Sequence, residues 1–293
     1  MIVVRRSQSL FPIALCLTAF TLVGCGGTPK PVVEPPPQLA PPSFLAVSGD
    51  RLLRFDAATG QMSEFADSPL LRDVSALTTD HAQRKVYAIA DSKKRPRLLR
   101  LDPDKETVEE VALVESGVFP VRTADALTFD PRREELFVAA GRDALSGYLL
   151  VMNPANGKAR PLGRLSKTPQ GEVDGLTMVG KVLFGVDHVL GETWIYGIGP
   201  RKVKLKEAGS LTGEISGLTF DPVGERTLAT LDGKLAVLDL RGDSKPAWID
   251  LGPDTPPLGA LTVLPPPRGP DNLFGDGFED GTTSKWSRVQ SKN

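Results

Sequence analysis

Five times the chain returns to one short apolar phrase: SALTTD from Ser75, DALTFD from Asp125, DGLTMV from Asp174, SGLTFD from Ser216 and GALTVL from Gly259. Each copy offers a small or acidic residue, a small residue, then Leu-Thr, and three of the five end in Asp. The copies start 50, 49, 42 and 43 residues apart, a period that belongs to propeller blades or to solenoids. The residues between them decide which. Short runs of Val, Leu, Ile and aromatics (KVYAIAD, ELFVAAG, YLLVMN, TWIYGI, KLAVLDL) alternate with Asp-Pro, Asn-Gly and Asp-Gly turn pairs, and no helical period interrupts them. Solenoids of this period are usually helical, so four short strands per unit predict an all-β propeller.

The ends of the repeat region set the blade count. Residues 44–67 carry FLAVSG, RLLRFD and QMSEF, which match strands two, three and four of a blade that lacks its first strand. Residues 259–265, GALTVLP, are a first strand with nothing after it. Pairing the two completes a fifth blade and closes the ring, which removes exposed sheet edges. Five blades are therefore expected, with six as the alternative if DSPLLRD (67–73) hides further strands. Asp232-Gly233 between two apolar runs predicts a two-residue hairpin.

The flanks of the 43–265 repeat region differ from it. Residues 1–24 have the layout of an export signal: Arg5 and Arg6, then an apolar run from Leu10 to Val23 that is short for a membrane span. It ends Leu22-Val23-Gly24-Cys25, which resembles the lipobox of bacterial lipoproteins. That resemblance implies acylation of Cys25 and a lipid anchor in the bacterial cell envelope, at the outer membrane, its periplasmic face or the cell surface. Residues 25–42, with seven prolines, form a linker that favours extended polyproline conformations. Residues 266–293 are a tail. Its LFGDGFEDGTTSKWS resembles a phrase near the C-termini of some exported bacterial proteins and the opening strand of some secreted jelly-roll modules.

Composition narrows the chemistry. The formal net charge is −1 and there are no basic runs with interleaved aromatics, which argues against a nucleic-acid partner. Both cysteines, Cys16 and Cys25, precede the repeats, so cysteine nucleophiles and cysteine zinc sites are excluded from the body. Gly-x-Ser-x-Gly, His-Glu-x-x-His and a Gly-rich phosphate loop are all absent.

What remains is acid. Aligning the phrases stacks Ser75, Asp125, Asp174, Ser216 and Gly259 in one column, with Asp73, Thr123, Glu172, Glu214 and Pro257 two residues earlier. Period-two strand geometry predicts both columns on one face. The channel mouth would then gather Asp73, Asp125, Glu172, Asp174 and Glu214. Converging carboxylates raise one another's pKa unless a cation sits among them, which makes a Ca²⁺-type site or a funnel for a cationic ligand the sharp expectation. The plainer one is that these acids cap turns. Asp187-His188, at the end of VLFGVDHVL, would add a general base or one more ligand beside Glu172 and Asp174. Trp194, Tyr196 and Ile198 alternate on one strand face and are expected to be core between blades.

Taken together, GLTFDP, the following LFV or LFG, and the LDP or NPANG turns resemble extracytoplasmic bacterial propellers with degenerate NHL- or lactonase-like repeats. For lactonase-like enzymes the resemblance implies a channel metal held by Glu, Asn and Asp. This chain has the acids without a channel asparagine. The leading expectation is therefore a lipid-anchored propeller that binds a protein partner or a small ligand. The alternative is a metal-dependent hydrolase or lyase working at the acidic mouth.

Overall fold

The computed structural model describes residues 41–93, 95–141, 147–165, 173–199, 203–240 and 245–266. Cys25, the signal-like segment, most of the proline-rich linker, Glu172 and the tail beyond residue 266 lie outside them.

Among the described residues, twenty strands form five four-stranded antiparallel sheets. In chain order, β1 (Phe44–Ser48), β2 (Arg51–Asp56) and β3 (Gln61–Glu64) open the fold. Blade I follows as β4 (Ala76–Asp80), β5 (Lys85–Ala90), β6 (Arg97–Asp102) and β7 (Thr107–Leu113). Blade II is β8 (Thr123–Asp130), β9 (Glu135–Gly141), β10 (Gly147–Met152) and β11 (Ala159–Arg164). Blade III is β12 (Gly175–Val179), β13 (Val182–Val189), β14 (Glu192–Ile198) and β15 (Leu205–Thr212). Blade IV is β16 (Ile215–Asp221), β17 (Arg226–Leu231), β18 (Lys234–Leu238) and β19 (Ala247–Trp248). The last strand, β20 (Leu261–Val263), pairs with β1 through Phe44↔Val263, Leu45↔Thr262 and Ala46↔Leu261. Blade V is thus β20-β1-β2-β3, and the ring closes as a five-bladed propeller. DSPLLRD holds no strand; Pro69–Leu71 is a single 3₁₀ turn capped by Ser68, whose side chain accepts from the Leu70 N–H. Six blades are excluded on that account.

Burial grades from the axis outward, as stacked blades require. The innermost strand of each blade and its neighbour are buried almost throughout, as in KVYAIA, whereas the outermost strands QMSE and Ala247-Trp248 are largely exposed. The buried side chains fall into five clusters, each belonging to one interface between successive blades. The phrase explains how those interfaces fit. Its Leu (Leu77, Leu127, Leu176, Leu218, Leu261) packs toward the preceding blade, and Ala76, Ala126 and Ala260 face the following one. Each such Leu is at most 4% exposed, worth about 2 kcal/mol of burial. The small position allows the next blade to come close. A Cβ on Gly217 would lie 2.6 Å from the Gly259 carbonyl oxygen and 2.8 Å from the Leu261 nitrogen, both backbone atoms. Tyr196 and Ile198 sit in the cluster between blades II and III with Trp194 packed against it, as expected.

The rest of the phrase ties the turns. Asp80, Asp130 and Asp221 are 2–4% exposed, and each folds its carboxylate onto the turn that follows. Asp80 Oδ1 accepts from the Ala82 and Gln83 N–H groups, Asp130 Oδ1 from Arg132, and Asp221 Oδ1 from Val223 and Gly224. Asp232-Gly233 makes the expected two-residue hairpin, with both residues left-handed (φ 49° and 76°) between Leu231 and its partner Lys234.

Candidate functional site

The first residue of the phrase is not an ordinary strand residue. In β8 the pairing skips Asp125, since Ala124 faces Ala140 and Ala126 faces Ala139; in β16 it skips Ser216 in the same way. In blades I and III the N–H groups of Ser75 and Asp174 return to the carbonyls of Ile89 and Val186, the residues already paired with Ala76 and Gly175. In blade V both Gly259 and Ala260 bond to Val47. A β-bulge therefore recurs at this position, and a bulge re-aims the side chain at its extra residue. This is where the period-two expectation fails: the inserted residue takes the two columns out of phase.

Bulging brings Ser75, Asp125, Asp174 and Ser216 around one axial cavity of about 10 Å³, floored by the phrase leucines. That is the space of a single water. The hydroxyls there are spent on neighbouring blades. Ser75 donates to the Ala124 carbonyl at 2.9 Å, and Ser216 to the Leu258 carbonyl at 3.4 Å. Behind Ser216, at 3.2 Å, the fully buried Thr230 hydroxyl donates to the Gly259 carbonyl at 2.6 Å. Asp174 Oδ2 accepts the backbone N–H of His188 at 2.9 Å. Burial pushes the Asp174 carboxyl above the usual carboxylate range, the His188 N–H and ring pull it back, and Glu214 pushes it further up.

The other sequence candidates take different places. Glu214 is exposed beside Asp174, its backbone locked to Asp232 in both directions. Asp73 is exposed, left-handed at φ 48°, and lines an outer groove with Arg51, Glu64 and Arg72 rather than the axial cavity. Asp187 is buried and pairs with Trp194, whereas His188 pairs with Thr193, so the two side chains leave opposite faces of β13. The His188 Nδ1 lies 3.2 Å from the Thr193 hydroxyl, which in turn donates to the Gly213 carbonyl at 2.6 Å. The network therefore assigns the ring proton to Nδ1. Among the described residues no three His, Cys, Asp or Glu side chains are placed to hold a metal ion. Glu172, the other acid that the sequence places at this mouth, lies outside the described residues.

The far end of the same strands is wider. There a pocket of about 300 Å³ is lined by the end of the phrase (Thr79, Phe129, Met178, Phe220) and by the turns that carry His81 and Arg132. Threonines close its sides by reaching between blades. The Phe129 N–H donates to Thr78 Oγ1 at 3.0 Å, and Thr79 and Thr262 share a hydrogen bond of 2.9 Å. Burial lowers the His81 pKa to about 4, with Asp221 pulling it up and Arg84 pushing it down, so the ring is neutral at physiological pH. His81 lies in the turn after β4, at the mouth opposite the one where the sequence gathers its candidate acids. The large apolar residues that end the phrase were the available signal.

No protein-family model matches the chain, and no curated protein is similar to it in sequence. Among solved structures it is similar to the nidogen/laminin complex, at 13% identity and a TM-score of 0.50 over 76% of this chain and 98% of that one. TolB from Acinetobacter baumannii gives 14% identity and a TM-score of 0.47, over 73% of this chain and 52% of that one. The gluconolactonase XC5397 from Xanthomonas campestris gives 12% and 0.47, over 74% and 70%. At such identities the likeness is one of fold. Among the described residues no helix is long and apolar enough to cross a membrane.

Proposed function

We propose that the protein is an exported propeller, held at the bacterial cell envelope by lipid on Cys25, that works as a binding or scaffolding module. The tethering half rests on the run from Leu10 to Cys25 and on the proline-rich segment behind it. Several acyl chains on one cysteine give stable anchoring, which a single short chain does not. The binding half rests on one observation above all. Among the described residues the acidic end of the axis, where the sequence concentrates its candidate chemistry, holds only about 10 Å³, whereas the opposite end holds about 300 Å³. Metabolic labelling with a clickable fatty acid tests the tether: wild type is labelled and sediments with membranes, and Cys25→Ala does neither. Labelled Cys25→Ala protein would overturn it. For the binding half, crosslinking in intact cells followed by detergent extraction and pull-down is expected to recover a discrete partner, and an empty pull-down counts against it.

A metal-dependent hydrolase is the second reading, favoured by Asp125 and Asp174 lining the same cavity with Glu214 beside them. It requires Glu172 as a third ligand and Ca²⁺ as the metal. Calorimetry with Ca²⁺, and lactone and ester hydrolysis before and after Glu172→Gln, decide it: no heat and unchanged rates end this reading.

A further inference from the structure

We propose that the axial pocket at the turn end is a binding site for a small monocarboxylate with an aromatic or aliphatic body. Its body would lie on Phe129, Met178 and Phe220, and its carboxylate would meet Arg132 and the imidazole of His81. The proposal deepens the binding reading above by naming a ligand class and a place, at the end of the channel where the sequence alone finds no site.

Size is the first reason. A cavity of about 300 Å³ is at the lower bound for small-molecule sites and about thirty times the volume at the acidic end. Its lining is the second. Phe129 and Met178 are 6% and 8% exposed and Phe220 is half-buried, so the wall is apolar, with polar groups confined to threonines and to the turns. Such a wall favours a flat or branched hydrocarbon body and gives little to a sugar or a polar peptide.

Charge sets the head group. The buried acids at this end, Asp80, Asp130 and Asp221, are already committed to turn N–H groups, and Asp221 also to Arg226 at 3.1 Å. Glu134 stands exposed outside this set. Arg84 is held by Asp104 at 2.8 Å, and Arg133 lies 3.6 Å from Asp130. Arg132, exposed on the rim, enters no ion pair among the described residues, and only its backbone N–H is bonded, to Asp130. One uncommitted guanidinium and one neutral imidazole lining the same pocket suit a single negative charge, because a dianion would need a second cation. A cationic ligand would find no uncommitted buried carboxylate to meet it.

The chain has only two histidines, so their imidazole proton signals are separately readable by NMR, with His188 at the other end of the fold as an internal control. Phenylacetate titrated into the purified full-length protein is expected to shift the His81 signals and leave those of His188 in place. An anion beside the ring favours the imidazolium, so the His81 titration midpoint rises from about 4 toward the ordinary histidine value. Phenylacetamide, with the same body and no charge, shifts the signals without raising the midpoint. Arg132→Ala weakens phenylacetate about tenfold and leaves phenylacetamide unchanged. Still His81 signals at tens of millimolar phenylacetate, equal shifts at both histidines, or undiminished phenylacetate binding by Arg132→Ala would each overturn the proposal. Circular dichroism of the variant separates lost binding from lost fold. A negative result here leaves the pull-down and the fatty-acid labelling untouched, so the pocket and the tethered-module reading fail independently.

Discussion

The two ends of the propeller axis are built from the same five strands and come out opposite. Where the phrase begins, a recurrent bulge gathers backbone and short polar side chains into about 10 Å³ of space. Where it ends, four of those strands and the turns after them line about 300 Å³ with largely apolar walls. Burial acts on a titratable group at each end and in both cases disfavours its charged form: the Asp174 pKa rises and the His81 pKa falls. The position that repeats most visibly is thus where blades press together. Room for a ligand is left where the repeat loosens.

The largest expected effect tests the pressed end. Gly217→Val forces a side chain against the Gly259 and Leu261 backbone and should cost about 3 kcal/mol or more, read as a lowered denaturant midpoint. Gly259→Ala, at the first rather than the second position of the blade V phrase, meets no atom nearer than 3.5 Å and should shift stability by less than about 0.5 kcal/mol. Equal losses would mean that close approach of backbone is not what makes Gly217 sensitive.

Next comes the loose end. The unfolded chain protonates His81 near 6.5 and the folded one only near 4, so stability present at neutral pH is lost as pH falls between those values. The loss reaches roughly 3 kcal/mol at most. Because Asp221 and Arg84 face the same ring, the measurement to make is the difference in pH slope between wild type and His81→Phe, which removes this component alone. Identical slopes would show that His81 is not buried as described.

Two smaller effects sharpen the contrast. Thr230→Val deletes the hydroxyl that donates to Gly259, and thermal melts should show a loss of about 1–2 kcal/mol. Asp174→Asn should raise stability slightly at neutral pH, read as a higher denaturant midpoint. The sign follows from a folded pKa above the unfolded one, which makes the charged carboxylate a burden that grows as pH rises through the folded value. On acidification wild type should catch up with the variant. A clear loss at neutral pH would mean that the charge is held by a partner such as a cation.

Blade number and closure were legible because both are counting problems: five phrases, three strands without a first at one end, and a first strand alone at the other. Turn chemistry was equally plain at Asp232-Gly233. The bulge at Asp125 and Ser216 left no compositional trace, since one extra residue facing one partner changes no residue type. Nor could Ser75 announce that its hydroxyl is spent on the Ala124 carbonyl of the next blade. The far pocket was hidden for another reason. Phe129, Met178 and Phe220 read as core residues, and Phe129 and Met178 are core; nothing in their spacing shows that they also line a hollow.

Closure through β20 and β1 also dictates an order of events. Residues 44–64 emerge early from any machinery that delivers the chain N-terminus first, yet the strand that completes their sheet, residues 261–263, arrives last. Until then β1 has one unsatisfied edge, an open template for pairing with other chains. Pairing Ala46 with Leu261 is among the most non-local contacts the chain can make, and such contacts form slowly. Closing blade V is therefore expected to be the slow step of folding, and truncation or delay there to turn the chain toward aggregation.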